Sequence, residues 1–114
     1  MLGEQQKAFE IEQSLVGDLE TCKTAGIQLA ENEALYRKAL REEMLSERMG
    51  GTPVTIIGDL CKGKAHIAEL RYKRDCSEAV YKASQEAINV NKLRLRMLYA
   101  QMQREWNSGG QYVD

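Results

Sequence analysis

The chain has 114 residues, a formal net charge of −1, and 43% apolar, 6% aromatic and 29% charged residues. These values give no global sign of nucleic-acid binding and predict one domain without a large aromatic core. No stretch of ~18 apolar residues occurs, which excludes a membrane-spanning helix. The first residues have neither a charged leader nor an apolar core, so we predict no secretion signal and expect a cytoplasmic protein.

The distribution of proline predicts the fold class. Pro53 is the only proline and directly follows Gly50-Gly51-Thr52. We therefore predict an all-α protein, a long antiparallel helical hairpin in one domain. Residues 1–51 carry a net charge of −4 and residues 52–114 one of +3, which favours packing of the two halves against each other. The predicted elements are a helix over about 4–49, a turn at 50–53, a helix over about 53–106 and a flexible tail at 107–114.

The first predicted helix has apolar residues at spacings of mostly three and four, which place them on one helical face. Gly17 and Gly26 are its weak points, since glycine costs ~1 kcal/mol relative to alanine inside a helix. A break near Gly26 would let residues 1–22 fold back as a third, N-terminal helix. The apolar positions of this face are Ala8, Ile11, Leu15, Leu19, Cys22, Leu29, Tyr36, Leu40 and Met44.

The predicted turn combines the end of one helix with the start of the next. Gly50 and Gly51 can take the left-handed conformation that ends a helix. Thr52 followed by Pro53 is typical of an N-cap with proline at the first helical position. The alternative is an extended stretch after Pro53, with Asp59 as the N-cap.

The second predicted helix has a heptad seam, whose 4-3-4-3 spacing is typical of a coiled coil. A second stripe of apolar and small residues on the same helix predicts cover from another side, and hence an oligomeric bundle. The packing seam comprises Ile56, Leu60, Ile67, Leu70, Tyr81, Ile88, Leu95, Leu98 and Met102, with Gly63, Arg74, Ser77, Ser84 and Asn91 between them. The second stripe comprises Tyr72, Cys76, Ala79, Ala83, Ala87, Val90, Leu93, Met97 and Ala100.

Basic residues in the second half form two clusters. Positive side chains on a helix can bind phosphates without reading sequence, so we predict a weak site for single-stranded DNA or a small anionic ligand. Intrahelical pairs, Arg71 with Asp75 and Arg74 with Glu78, would neutralise part of this charge. The first cluster is Lys62, Lys64, Arg71, Lys73 and Arg74, and the second is Lys92, Arg94, Arg96 and Arg104.

Catalytic and cofactor signatures are missing from the sequence. His66 is the only histidine, and Cys22, Cys61 and Cys76 have no metal-binding spacing, so we expect free thiols and no metal. The segment from Gly58 to Lys64 lacks the phosphate-loop pattern. We therefore predict a protein that is not an enzyme and has no cofactor.

Three sequence blocks and the closing Gln-Arg-Glu-Trp at 103–106 carry a family resemblance. The blocks are GTPVTIIGDLCKG at 51–63, LRYKRDCSE at 70–78 and AINVNKL at 87–93. Together they resemble small helical proteins from phages and prophages of Gram-positive bacteria, whose genes lie near single-strand annealing and replication functions. The resemblance covers about residues 35–106. It implies a phage origin and a host-cell cytoplasmic setting, and it carries no catalytic residues.

Three functions follow as hypotheses, all based on partner binding. The first is an accessory of phage DNA recombination or replication that binds single-stranded DNA or a recombinase. The second is a counter-defence protein that inhibits a host nuclease or sequesters a nucleotide signal. The third is a virion assembly or scaffold component. In each case we expect a homo-oligomer and no membrane partner.

Overall fold

The computed structural model describes residues 2–110, and these residues form three helices. They are α1 (Leu2–Met49), α2 (Val54–Lys62) and α3 (Ala65–Gly110). No strand occurs within the described residues, so the all-α prediction is confirmed. The predicted tail is wrong at its start, because α3 continues through residues 107–110. Its last four residues, 111–114, lie outside the described part of the chain.

The chain divides into two compact units, each built from segments of both long helices. The terminal unit combines residues 2–23 with 83–110, and the turn unit comprises residues 24–82. In the terminal unit Asn91 bonds to Asp18, and Tyr99, further along α3, bonds to Glu12, nearer the start of α1. Residues further along α3 thus contact residues nearer the start of α1, as expected for two antiparallel segments. The contacts between α1 and α3 in the turn unit run in the same order. The predicted antiparallel hairpin is therefore confirmed, while the single domain stays a prediction.

Helix α1 runs without interruption through Gly17 and Gly26. The predicted break near Gly26 and the third helix from residues 1–22 are therefore wrong. A Cβ at Gly26 would be 3.2 Å from Cε1 of Tyr81 on the facing helix. Glycine at this position thus leaves room for the Tyr81 ring, which offsets its cost in helix propensity.

The turn ends α1 with two paired backbone hydrogen bonds around a left-handed glycine. Gly51 has a φ of 90°, its N–H donates to the Arg48 carbonyl over 3.1 Å, and the Thr52 N–H donates to the Glu47 carbonyl over 3.0 Å. This is the Schellman pattern, so the predicted glycine cap is confirmed. The predicted Thr52 N-cap is wrong by one residue, since Pro53 precedes α2. The Thr52 hydroxyl donates instead to the Glu47 carboxylate over 2.7 Å.

The predicted single helix over 53–106 is interrupted at Gly63-Lys64, which separates α2 from α3. The interruption changes which side of the first segment faces inward. Ile57 and Cys61 are 5% and 0% exposed, whereas the predicted seam residues Ile56 and Leu60 are 51% and 45% exposed. The seam therefore continues into α2 one residue out of the predicted phase. Asp59 lies inside α2 and is not its N-cap.

From Ile67 to Met102 the predicted seam of α3 lies against α1 in both units. All its positions in this range are buried or half-buried. In the turn unit, Asn32 Nδ2 donates to Ser77 Oγ over 2.5 Å, and in the terminal unit Asn91 Nδ2 donates to Asp18 Oδ2 over 2.6 Å. Polar seam residues thus pair across the two helices, as buried polar groups require. The second stripe of α3 is exposed, and its role in an oligomer stays a prediction.

Candidate anion-binding groove of the terminal unit

Most of the first predicted basic cluster is occupied by acidic partners in the turn unit. Lys64 Nζ lies 2.7 Å from Glu43 Oε2 and 2.5 Å from Glu47 Oε1. These hydrogen bonds raise the pKa of Lys64 and lower the pKa of both carboxyl groups. His66 Nε2 is also 3.1 Å from Glu43 Oε1. The Lys64 ammonium therefore joins α1 to the start of α3 and is not free for a ligand.

Arg74 is held in a similar way in the turn unit. Its Nη2 lies 2.8 Å from Asp75 Oδ1, its Nε lies 3.4 Å from Glu33 Oε2, and its guanidinium stacks over the Tyr36 ring at 4.6 Å. The hydrogen bond to Asp75 raises the pKa of Arg74. The predicted Arg74–Glu78 pair is wrong, because Glu78 binds Lys82 instead.

The remaining members of the first cluster differ in their partners. Lys73 lies 3.8 Å from Glu69, while Lys62 and Arg71 have no ion pair within residues 2–110. Both of these residues are exposed. The turn unit thus uses most of its basic cluster internally.

The second predicted cluster has a different environment in the terminal unit. None of its four members, Lys92, Arg94, Arg96 and Arg104, makes an ion pair with any described residue. Arg94 and Arg104 line an open groove between α1 and α3 with a volume of about 650 Å³. Lys92 and Arg96 are exposed but do not line it, so the structure brings together only half of this cluster.

The groove adds residues that the sequence pattern did not reveal. Lys7 from α1 is a third basic residue in its wall, and Glu10 is its only acidic one. The antiparallel hairpin predicts that the start of α1 lies beside the end of α3, so this register was the signal that could have identified Lys7. The other lining residues are Ile11, Ser14, Asn91, Met97, Leu98, Ala100 and Gln101.

Hydrogen bonds fix the polar groups around this groove. Asn91 is held by Asp18 and accepts a hydrogen bond from Arg94 Nη1 over 3.5 Å. Gln101 Nε2 donates to Glu4 over 3.1 Å and to Glu105 over 3.3 Å. A hydrogen bond with Glu105 also raises the pKa of Glu4. Two carboxyl groups therefore lie close together near Gln101.

The arrangement can bind an anion. Three basic side chains and one acidic side chain from the described residues line the groove together with apolar and neutral polar residues, and this excess of positive charge suits a phosphate-bearing ligand. No group of three or more histidine, cysteine or acidic residues is placed to hold a metal in the described part of the chain. The three cysteines are free thiols. None of the helices over residues 2–110 combines the length and apolar character needed to cross a membrane.

Comparisons of this chain with protein-family models, with curated proteins and with solved structures give no match. The groove geometry is therefore the observation on which a function can be proposed.

Proposed function

We propose that the protein is a non-enzymatic accessory of phage DNA recombination or replication that binds single-stranded DNA through the terminal-unit groove. The observation that carries this proposal is the presence of three basic side chains along one groove. Lys7, Arg94 and Arg104 form no ion pair with any residue from 2 to 110. The phage setting is supported by the sequence resemblance over residues 35–106.

The groove chemistry favours weak binding that does not depend on sequence. Lys7, Arg94 and Arg104 can each bind a backbone phosphate, and these contacts carry no base information. Met97 and Leu98 offer apolar contacts, but none of the groove-lining residues in the described part of the chain is aromatic. Stacking on aromatic rings, worth ~1–3 kcal/mol per base in other single-strand binders, is therefore missing. We expect electrostatic attraction to supply most of the affinity.

Fluorescence anisotropy with a labelled single-stranded oligonucleotide tests the proposal. With three phosphate contacts, the logarithm of the binding constant should fall against the logarithm of salt concentration with a slope of about −2. The triple variant Lys7→Ala/Arg94→Ala/Arg104→Ala should weaken binding at low salt by roughly tenfold or more and flatten the slope towards zero.

The matched control removes cations that already have partners. Lys73→Ala/Lys82→Ala removes two lysines paired with Glu69 and Glu78 in the turn unit, and it should leave the salt slope unchanged. The proposal fails if the wild-type protein does not bind the oligonucleotide at low salt. It also fails if the control variant weakens binding as much as the groove variant does.

Sequestration of a nucleotide is a second candidate, favoured by the size of the same groove. Its volume of about 650 Å³ lies within the usual range for small-ligand sites. Thermal shift with mono- and cyclic nucleotides separates the two candidates. A saturable shift that Arg94→Ala/Arg104→Ala abolishes, without binding of the oligonucleotide, would favour the nucleotide.

A further inference from the structure

The turn unit contains a second groove with a different chemistry. Its floor is apolar and comes from α1 and α2, its volume is about 410 Å³, and three arginines line it. No acidic residue between positions 2 and 110 lines it, although the chain is rich in acidic residues. The floor residues are Leu40, Met44, Leu45, Val54 and Ile57, and the arginines are Arg37, Arg41 and Arg48.

Two of these arginines are free to bind an acidic partner. Arg37 Nε is 2.5 Å from Glu33 Oε1, whereas Arg41 and Arg48 form no ion pair within residues 2–110. Both are exposed. The groove therefore combines an uncovered apolar floor with uncompensated positive charge, which suits an amphipathic helix with acidic residues beside its apolar face.

Apolar side chains at this groove are exposed in a single copy of the chain. Leu45 and Val54 are 53% and 61% exposed, and nearby Met49 is 89% exposed. Adjoining apolar side chains that remain uncovered favour burial against a partner.

The chain itself carries a helix face of the required chemistry. On α1 of the terminal unit, Phe9, Val16 and Leu19 are each more than half exposed. Glu12 lies three residues after Phe9, and Glu20 lies four residues after Val16, so helical spacing places both carboxylates beside the apolar residues. Glu20 has no ion pair among the described residues, and Glu12 accepts a hydrogen bond from Tyr99.

We propose that the turn-unit groove binds the Phe9–Glu20 face of α1 from a second copy of this chain. The apolar side chains of that face cover the floor, and Glu12 and Glu20 pair with Arg41 and Arg48. The partner copy thus completes a site that a single copy leaves open. This inference concerns different residues from the DNA groove and stands or falls independently of it.

A charge exchange between the two surfaces tests the proposal. Arg41→Glu/Arg48→Glu and Glu12→Arg/Glu20→Arg should each weaken self-association by about tenfold or more, because each places like charges opposite one another. An equimolar mixture of the two variants should associate again, since the reversed arginines of one then meet the reversed glutamates of the other. Sedimentation velocity over a concentration series measures all four samples.

Control variants and alternative occupants complete the design. Lys92→Glu/Arg96→Glu changes two exposed cations outside both grooves and should leave association unchanged. Circular dichroism checks that each variant remains helical, and Leu19→Ser and Leu45→Ser weaken the same contact without a charge change. The proposal fails if the wild-type protein is a monomer at every concentration, or if the mixture of the two variants does not associate. It also fails if wild-type monomers bind anionic phospholipid vesicles.

Discussion

The turn unit and the terminal unit use the same two helices in different ways. In the turn unit, Cys61 and Ile67 are fully buried, and Lys64 and Arg74 are paired across the helices. In the terminal unit, the buried residues are the smaller Ala8 and Ser84 and the aliphatic Ile88, and its basic side chains form no ion pair with any residue from 2 to 110. The comparison teaches that fully buried side chains and ion pairs concentrate near the turn.

Matched isoleucine truncations in the two units test this comparison with the largest expected effect. Ile67 is 0% exposed and Ile88 is 8% exposed. Ile67→Ala should lower the free energy of unfolding by about 3–5 kcal/mol and Ile88→Ala by about 2–3 kcal/mol, since the cost rises with the cavity that remains. Urea unfolding followed by circular dichroism measures both. A loss at Ile88 equal to or above that at Ile67 would contradict the ranking.

Much of the fold was predictable because local chemistry determines it. Pro53, the glycine pair and the 4-3 spacing of α3 predicted two antiparallel helices and the position of the turn. The interruption at Gly63-Lys64 was not predicted, because the 4-3 spacing of apolar and small residues runs through Gly63 without a break. The contact of Gly26 with the Tyr81 ring was not predicted either, because it joins residues that are distant in sequence.

The candidate site was predictable only in part, for a related reason. The sequence shows which residues are basic, but not which of them are already paired. Arg74 and Lys64 looked as available as Arg94 and Arg104, and only the contacts between helices separate the two groups. Lys7 was missed because it is isolated among acidic and neutral residues in α1 and joins the groove through the hairpin register.

The two interior glycines of α1 give a smaller but sharper comparison. A Cβ at Gly17, in the terminal unit, would have no atom within 4 Å, whereas one at Gly26, in the turn unit, would lie 3.2 Å from Tyr81. Gly17→Ala should therefore raise the free energy of unfolding by about 1 kcal/mol through helix propensity alone. Gly26→Ala should raise the free energy of unfolding by a smaller amount, because the Tyr81 ring must move. Equal stabilisation by both substitutions in urea unfolding would show that the two units are packed equally closely here.

Acidic groups make the stability of the two units depend on pH in opposite directions. The pKa values of Glu43 and Glu47 in the turn unit are lowered from 4.5 by their hydrogen bonds to Lys64. Their contribution to stability is therefore complete above pH 4.5 and is lost as the pH falls through the lowered values. The pKa of Glu4 in the terminal unit is raised from 4.5. Its contribution is complete below pH 4.5 and is lost as the pH rises through the raised value.

The melting temperature measured from pH 3 to pH 7 tests this opposite pH dependence directly. The expected changes in melting temperature are the smallest of the predicted effects. Glu43→Gln/Glu47→Gln should lower the melting temperature at pH 7, and the difference from wild type should shrink as the pH falls below 4.5, because protonation then removes the same charges. Glu4→Gln should show the reverse, with its smallest difference from wild type at low pH, where Glu4 is already neutral. Glu86→Gln, which removes an exposed carboxylate without an ion pair among the described residues, is the control and should show little change. A turn-unit difference that is constant from pH 3 to 7 would mean that the Lys64 contacts do not stabilise the fold by charge, and the distinction between a charge-paired turn unit and an unpaired terminal unit would fail.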